Sequence, residues 1–149
     1  VMDASQLVFD RFRREHYAEY QAWFVDAELN GRLGPMDNEW LTAILEESEE
    51  QGITWAVCVG SELVGVIETV FGPNLPCAIT AIAVKPTRRR QGIARAMLQR
   101  IIDDYRVRGI ESYVAYVEHT NVAASKFLLE MGFQAVSGPN DKGYVEFRR

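Results

Sequence analysis

Residues 79–98 read ITAIAVKPTRRRQGIARAML. The apolar run from Cys77 to Val84 has the composition of a central strand covered on both faces. It stops at Lys85 and Pro86, because proline cannot donate to a strand ladder. The period then changes: Ile93, Met97, Ile101 and Tyr105, with Ala94, Leu98 and Ile102 beside them, put one apolar stripe on a helix. That helix is expected from about Gln91 to Val107, closed by Gly109. A strand, a basic glycine-containing loop and a helix in this order make an anion site. The first amides of a helix lack intrahelical partners, and the helix dipole adds partial positive charge to them. Gly92 lets the backbone approach a ligand, and Ala94 keeps the next turn small. Arg88, Arg89 and Arg90 supply charge-assisted donors, although three arginines in a row also suit a solvated turn. The loop is not a P-loop, which needs GK[ST], and not the dinucleotide fingerprint GxGxxG.

Working outward, SYVAYV (112–117) reads as a strand, Asn121 to Glu130 as a helix that Gly132 terminates, and FQAV and YVEFR as strands around the turn GPNDKG. Upstream, ITWAVCV and ELVGVIETVF meet at Gly60 and Ser61, a tight hairpin signal. LVFDRFR (7–13) reads as the first strand. From Glu15 to about Asp26, Tyr17, Tyr20, Trp23 and Phe24 recur at helical spacing. AELNGRLGPMDN (27–38) is then expected to break the helix, since Gly31, Gly34 and Pro35 favour turns. Asp37 caps a second helix whose apolar face is Trp40, Leu41, Ile44 and Leu45. Its acidic end, EESEE, opposes the helix dipole. The expected order is β, α, α, β, β, β, α, β, α, β, β.

Composition narrows the function classes. In 149 residues, 48% hydrophobic and 25% charged, the chain has the balance of one globular domain. No apolar run approaches the roughly 20 residues that span a bilayer, and VMDASQLVFDRFRREHY has no signal-peptide pattern; a cytoplasmic location and no membrane partner are expected. Cys58 and Cys77 sit in apolar runs and are expected to be reduced and buried. No metal site is expected: there is no CxxC, and His16 and His119 lie far apart in sequence. The net charge of -5 divides unevenly, with 14 acidic against 4 basic residues in 1–76, and 7 against 12 in 77–149. A nucleic-acid binder is more often basic overall. A compact anion near one half and a cation near the other suit this division better.

The loop resembles that of a known family. ITAIAVKPTRRRQGIARAML is similar to the cofactor motif of GNAT-type N-acetyltransferases, whose loop carries Arg or Gln, two residues, Gly, one residue, then Gly or Ala. Arg89, Gly92 and Ala94 fill these positions. NVAASKFLLEMGF (121–133) resembles the family's later helix, with Asn121, Ala124, Gly132 and Phe133 in register. The order of elements matches along nearly the whole chain. The resemblance implies an α/β (α+β) protein with the GNAT fold: one domain over residues 1–149, and a central mixed, mostly antiparallel sheet of about six or seven strands flanked by about four helices.

It also implies an acetyl-CoA-dependent enzyme that transfers acetyl directly to a primary amine. The cofactor's pyrophosphate would lie on the amides of Arg89, Arg90, Gln91, Gly92, Ile93, Ala94 and Arg95. Its pantetheine arm would pair like an extra strand with Ile82, Ala83 and Val84. Asn121 would contact the arm near its thiol, and Lys126 would lie near the 3'-phosphate or stand as an ordinary exposed lysine.

The sequence departs from the family at the proton-transfer positions. Leu128 stands where many members carry an acidic tyrosine, and Ala78 and Thr80 where some keep a carboxylate base. Glu68, a carboxylate inside an apolar strand, is costly there unless paired or used; it is a candidate base or amine anchor, or an outward-facing residue. Glu118 and His119 follow the strand beside the expected cleft, and histidine titrates in the useful range. Tyr116 either lends a hydroxyl to the cleft or packs in the core. Asp26, Glu28 and Asp37, among aromatics, suit a cationic acceptor, either a small molecule or a protein N-terminus. A non-catalytic acyl-CoA sensor or interaction module on the same fold is the alternative, and pairing of two chains into a homodimer stays open.

Overall fold

In the computed structural model, which describes residues 3–149, the chain runs β1 (Leu7–Arg11), α1 (Arg14–Ala22), α2 (Ala27–Leu33), α3 (Asn38–Glu46), β2 (Gly52–Val59), β3 (Glu62–Val70), β4 (Cys77–Val84), α4 (Ile93–Val107), β5 (Tyr113–Glu118), α5 (Val122–Glu130), β6 (Gln134–Ala135) and β7 (Tyr144–Arg148). No helix among the described residues is long and apolar enough to cross a membrane.

All seven strands form one sheet in the order β1-β2-β3-β4-β5-β7-β6. Every neighbouring pair is antiparallel except β4 and β5, which run parallel and share only two register pairs, Cys77 with Tyr113 and Ala78 with Val114. Beyond Ala78 the two strands part. From Ile79 to Val84, β4 keeps β3 on one side and, among the described residues, has no strand on the other. A bulge precedes this free stretch: Glu68 faces Ala81 and Thr69 faces Ile79, so Thr80 has no partner in the β3–β4 register.

The two faces of the sheet are covered differently. On one, Ile93, Met97, Leu98, Ile101, Ile102 and Tyr105 of α4 pack with Leu128 and Met131 from the α5 region over Ile67, Cys77, Ile79 and Ala115. On the other, Tyr20 and Trp23, Leu29 of α2 and Leu41 of α3 pack over Ala56, Leu63, Val66 and Ala83. Close approach fixes the height of α4, because a side chain at Gly65 would collide with Met97. A buried polar chain fixes its far end. The Trp55 indole donates to the Tyr105 hydroxyl (2.9 Å), and Thr69 donates to the Ile53 carbonyl (2.8 Å). With both of those donors spent, the Tyr105 hydroxyl is the one that donates to Thr69, at 2.7 Å.

The described residues form five α-helices; the additional one is α2, within the stretch expected to be a break. Asp26 starts it by accepting from the Leu29 amide (3.0 Å), and Leu29 is buried. The cap and this anchor outweigh the roughly 1 kcal/mol that a helical glycine such as Gly31 costs. Smaller differences lie at element ends. α4 starts at Ile93 because Gly92 is left-handed, φ +78°. β1 stops at Arg11, and β6 keeps only Gln134 and Ala135, while Phe12 and Phe133 turn into the core. Asp37 caps α3 as expected, accepting from the Trp40 amide at 3.1 Å.

Candidate active site

The loop between β4 and α4 presents a row of free donors. The Arg88 amide donates to the Lys85 carbonyl and the Ala96 amide to the Gly92 carbonyl, but no amide from Arg89 to Arg95 donates to a described residue. Left-handed conformations at Arg90 (φ 63°) and Gly92 (φ 78°) shape the row, and successive amides in such a nest converge on an anion. A hollow of about 390 Å³ opens beside Gly92, lined by Ala4, Arg95, Ala96, Gln99 and Arg100 among others.

Two of the three arginines are engaged elsewhere. Glu62 grips Arg88, whose Nε donates to Oε2 at 3.0 Å, and Lys85, whose Nζ lies 3.1 Å away. These cations, Arg88 first, hold the Glu62 carboxyl down to about 2. Arg89 donates to Asp26 through Nη1 (3.1 Å) and Nη2 (2.6 Å). Arg89, and then the Leu29 amide, hold the Asp26 carboxyl at about 2. Arg90 is exposed and forms no ion pair among the described residues. The donors facing an anion here are main-chain amides, with arginine charge behind them.

Past the loop, Ile82, Ala83 and Val84 lie on the free edge of β4. Asn121 caps α5: its Oδ1 accepts from the Ala124 amide at 3.2 Å, which leaves its NH2 group for other partners. Lys126 is exposed on α5. Arg95 turns to α5 and pairs with Glu130 at 3.0 Å.

The acceptor candidates share the face covered by α1–α3. Alternation places Glu68 there, since Ile67 joins the α4 side and Val66 the other. Burial pushes the Glu68 carboxyl up to about 7; Glu47 adds to this and the Trp40 indole opposes it. Burial, and then the Glu68 charge, raise the Tyr20 hydroxyl as well. Three polar atoms in or against this layer, the Tyr17 and Tyr20 hydroxyls and the Trp23 indole N–H, are buried and unpaired among the described residues. On β5, Ala115 and Val117 face α4, which turns Tyr116 and Glu118 to the other side. Tyr116 is 55% exposed, so it is not a core tyrosine. Glu118 meets Arg32 of α2 at 3.4 Å. Between Glu68 and this pair, β4 carries small residues: Ala78 half-buried, Thr80 exposed and Ala81 buried. The structure thus brings Glu68, Tyr116 and Glu118 to one side of the parted strands. It leaves His119 outside, exposed and beside Gly143.

The GNAT acetyltransferase family model matches residues 8–133. The chain belongs to the GNAT family of acetyltransferases. No curated protein matches the sequence. Solved structures with this fold include an acetyl transferase from Salmonella typhimurium that modifies the N-terminal serine of a 50S ribosomal subunit protein (16% identity, 97% of this chain and 95% of that one, TM-score 0.86). An acetyltransferase from Thermus thermophilus aligns over 99% of both chains at 15% identity, TM-score 0.83. Spermidine N-acetyltransferase from Vibrio cholerae, in complex with CoA and spermine, aligns over 97% of this chain and 95% of that one at 14% identity, TM-score 0.79. At these identities the likeness is one of fold.

Within the GNAT fold of this chain, Leu128 is buried against Met131 and the α4 layer. An aliphatic side chain there offers no proton. The pairs Glu62–Arg88, Asp26–Arg89 and Arg32–Glu118 join residues far apart in sequence, and only the cap that Asp26 makes on the Leu29 amide is a local pattern.

Proposed function

We propose that this GNAT acetyltransferase moves an acetyl group from acetyl-CoA to a primary amine by direct transfer. The observation that carries the proposal is the unbroken run of amides from Arg89 to Arg95 with no partner among the described residues, in the loop that follows β4, whose edge is free of β5 from Ile79 on. A diphosphate fits this donor set: successive N–H groups at a helix N-terminus, shaped by left-handed Arg90 and Gly92, with no described carboxylate accepting from them. The free edge of β4 at Ile82–Val84 supplies hydrogen-bonding groups for an amide-bearing arm. Acetyl-CoA held by these groups would supply the acetyl group as a thioester.

The chain's own residues handle the proton. An ammonium has no lone pair and must lose a proton before it attacks. Glu68 is the base of choice, because its protonation balance lies near neutrality and it lies one strand, roughly 5 Å, from the free edge of β4. Glu118 is second, since Arg32 already holds it. Tyr116, on the opposite wall, offers a hydroxyl to the leaving thiolate. The acceptor is an amine of a small molecule or a protein N-terminus, the two kinds named for the similar structures.

The test is thiol release from acetyl-CoA across a panel of polyamines, amino acids and peptides with free N-termini. Amine-dependent release supports the proposal. The buried Leu128 favours one competing reading, an acyl-CoA sensor; CoA binding with no amine-dependent release would establish that reading instead.

A further inference from the structure

Arg89 stands inside the amide run assigned above to the cofactor's diphosphate, yet both of its described hydrogen bonds go to Asp26. Asp26 also caps α2, because the Oδ2 that takes the shorter bond from Arg89 accepts from the Leu29 amide. One turn and a half further on, Arg32 reaches Glu118 at the end of β5. From Asp26 to Arg32, α2 rises about 9 Å, so it crosses from the loop that follows β4 to the end of β5. It is a strap over the mouth of the parted strands, on the face that carries Glu68 and Tyr116. Its first end is tied to the cofactor loop by a single guanidinium.

We propose that Asp26 is a positioning residue that links the two substrate sites: Arg89 is shared between Asp26 and the phosphates of the cofactor, and filling the loop loosens α2 over the amine entrance. The inference rests on the assignment of the loop to the cofactor. It gives the reaction an order. While the loop is empty, Asp26 holds Arg89 and the strap is tied at both ends. A diphosphate at the amides draws on the same guanidinium, and the strap is then tied only at Glu118. The link is reciprocal, so whatever removes the pull of Asp26 strengthens cofactor binding by the same factor.

The substitution Asp26→Asn tests this, because Asn caps a helix as well as Asp does but carries no charge to compete for Arg89. CoA is titrated calorimetrically into the wild-type protein and the variant, and amide exchange of residues 29–33 is followed with and without CoA. The expected result is about fivefold tighter CoA binding in Asp26→Asn, at the lower end of measured couplings. CoA-induced loosening of 29–33 is expected in the wild type and not in the variant. In an Arg89→Ala background, Asp26→Asn should leave CoA affinity unchanged. A merely structural role for Asp26 would give weaker binding or none of these changes, and either outcome overturns the inference. Absence of CoA binding to the wild type would instead overturn the cofactor assignment itself.

Discussion

Glu68 lies opposite Ala81 across the β3–β4 ladder, at the bulge that leaves Thr80 unpaired. Its strand neighbour offers only a methyl, and Trp40 and Tyr20 lie against the carboxyl. Burial raises its protonation range to about 7 from the usual 4.5. A raised carboxyl favours the folded state while it is protonated; that contribution is full below about 4.5 and is lost as pH rises through 7.

Glu68→Gln should therefore gain stability relative to the wild type as pH rises from 5 to 8. The gain approaches an upper bound of about 3 kcal/mol, from the size of the shift. Urea melts at the two pH values measure it, and a constant gap would mean that the carboxyl is not desolvated.

As the proposed base, Glu68 must be ionised to accept a proton. The rate of amine-dependent thiol release should rise with pH through about 7 and then level off. Glu68→Gln should lower it by about a hundredfold or more and flatten the limb. An unchanged profile would move the role to Glu118 or to water.

Gly92 occupies the left-handed region, φ 78°, where a side chain costs about 1 kcal/mol. Gly92→Ala should show that cost in thermal melts and a modest loss of CoA affinity. Gly92→Glu, which adds a negative charge beside the amide row, should abolish CoA binding while circular dichroism still reports the fold. Equal affinities in the two variants would remove the anion from this loop.

Tyr105→Phe breaks the polar chain that anchors α4, leaving the Trp55 indole without its acceptor and Thr69 without its donor. A buried donor left unpaired costs about 1–3 kcal/mol. Denaturant midpoints check this, with Phe71→Leu, which alters packing against the same ring, as the comparison without a polar loss.

The parts of the site that local patterning controls were legible in the sequence. The change from a continuous apolar run to a 3.6-residue stripe marks β4 and α4, and Gly92 between them marks the left-handed start. α2 was hidden because Gly31, Gly34 and Pro35 have turn chemistry, whereas what makes the helix is the burial of Leu29 and a cap by Asp26. The destinations of the arginines were hidden for a different reason. Arg88 meets a carboxylate 26 residues away and Arg89 one 63 residues away, and no local period encodes such pairs. An apolar strand leaves Tyr116 open to cleft or core; it is exposed because the strands part beside it, which depends on the two-pair contact between β4 and β5.

That short contact divides the sheet into two plates that meet at Cys77 and Tyr113. On one face the plates are joined by the apolar undersides of α4 and α5. On the other, the crossing depends on the charge pairs Asp26–Arg89 and Arg32–Glu118, both partly open to water. The Debye length falls from about 10 Å at 0.1 M salt to about 3 Å at 1 M, so these pairs weaken with ionic strength and the apolar face does not. Added salt is thus expected to loosen the two charged ties of α2 across the opening, while the buried Leu29 and the core that forms the hinge hold.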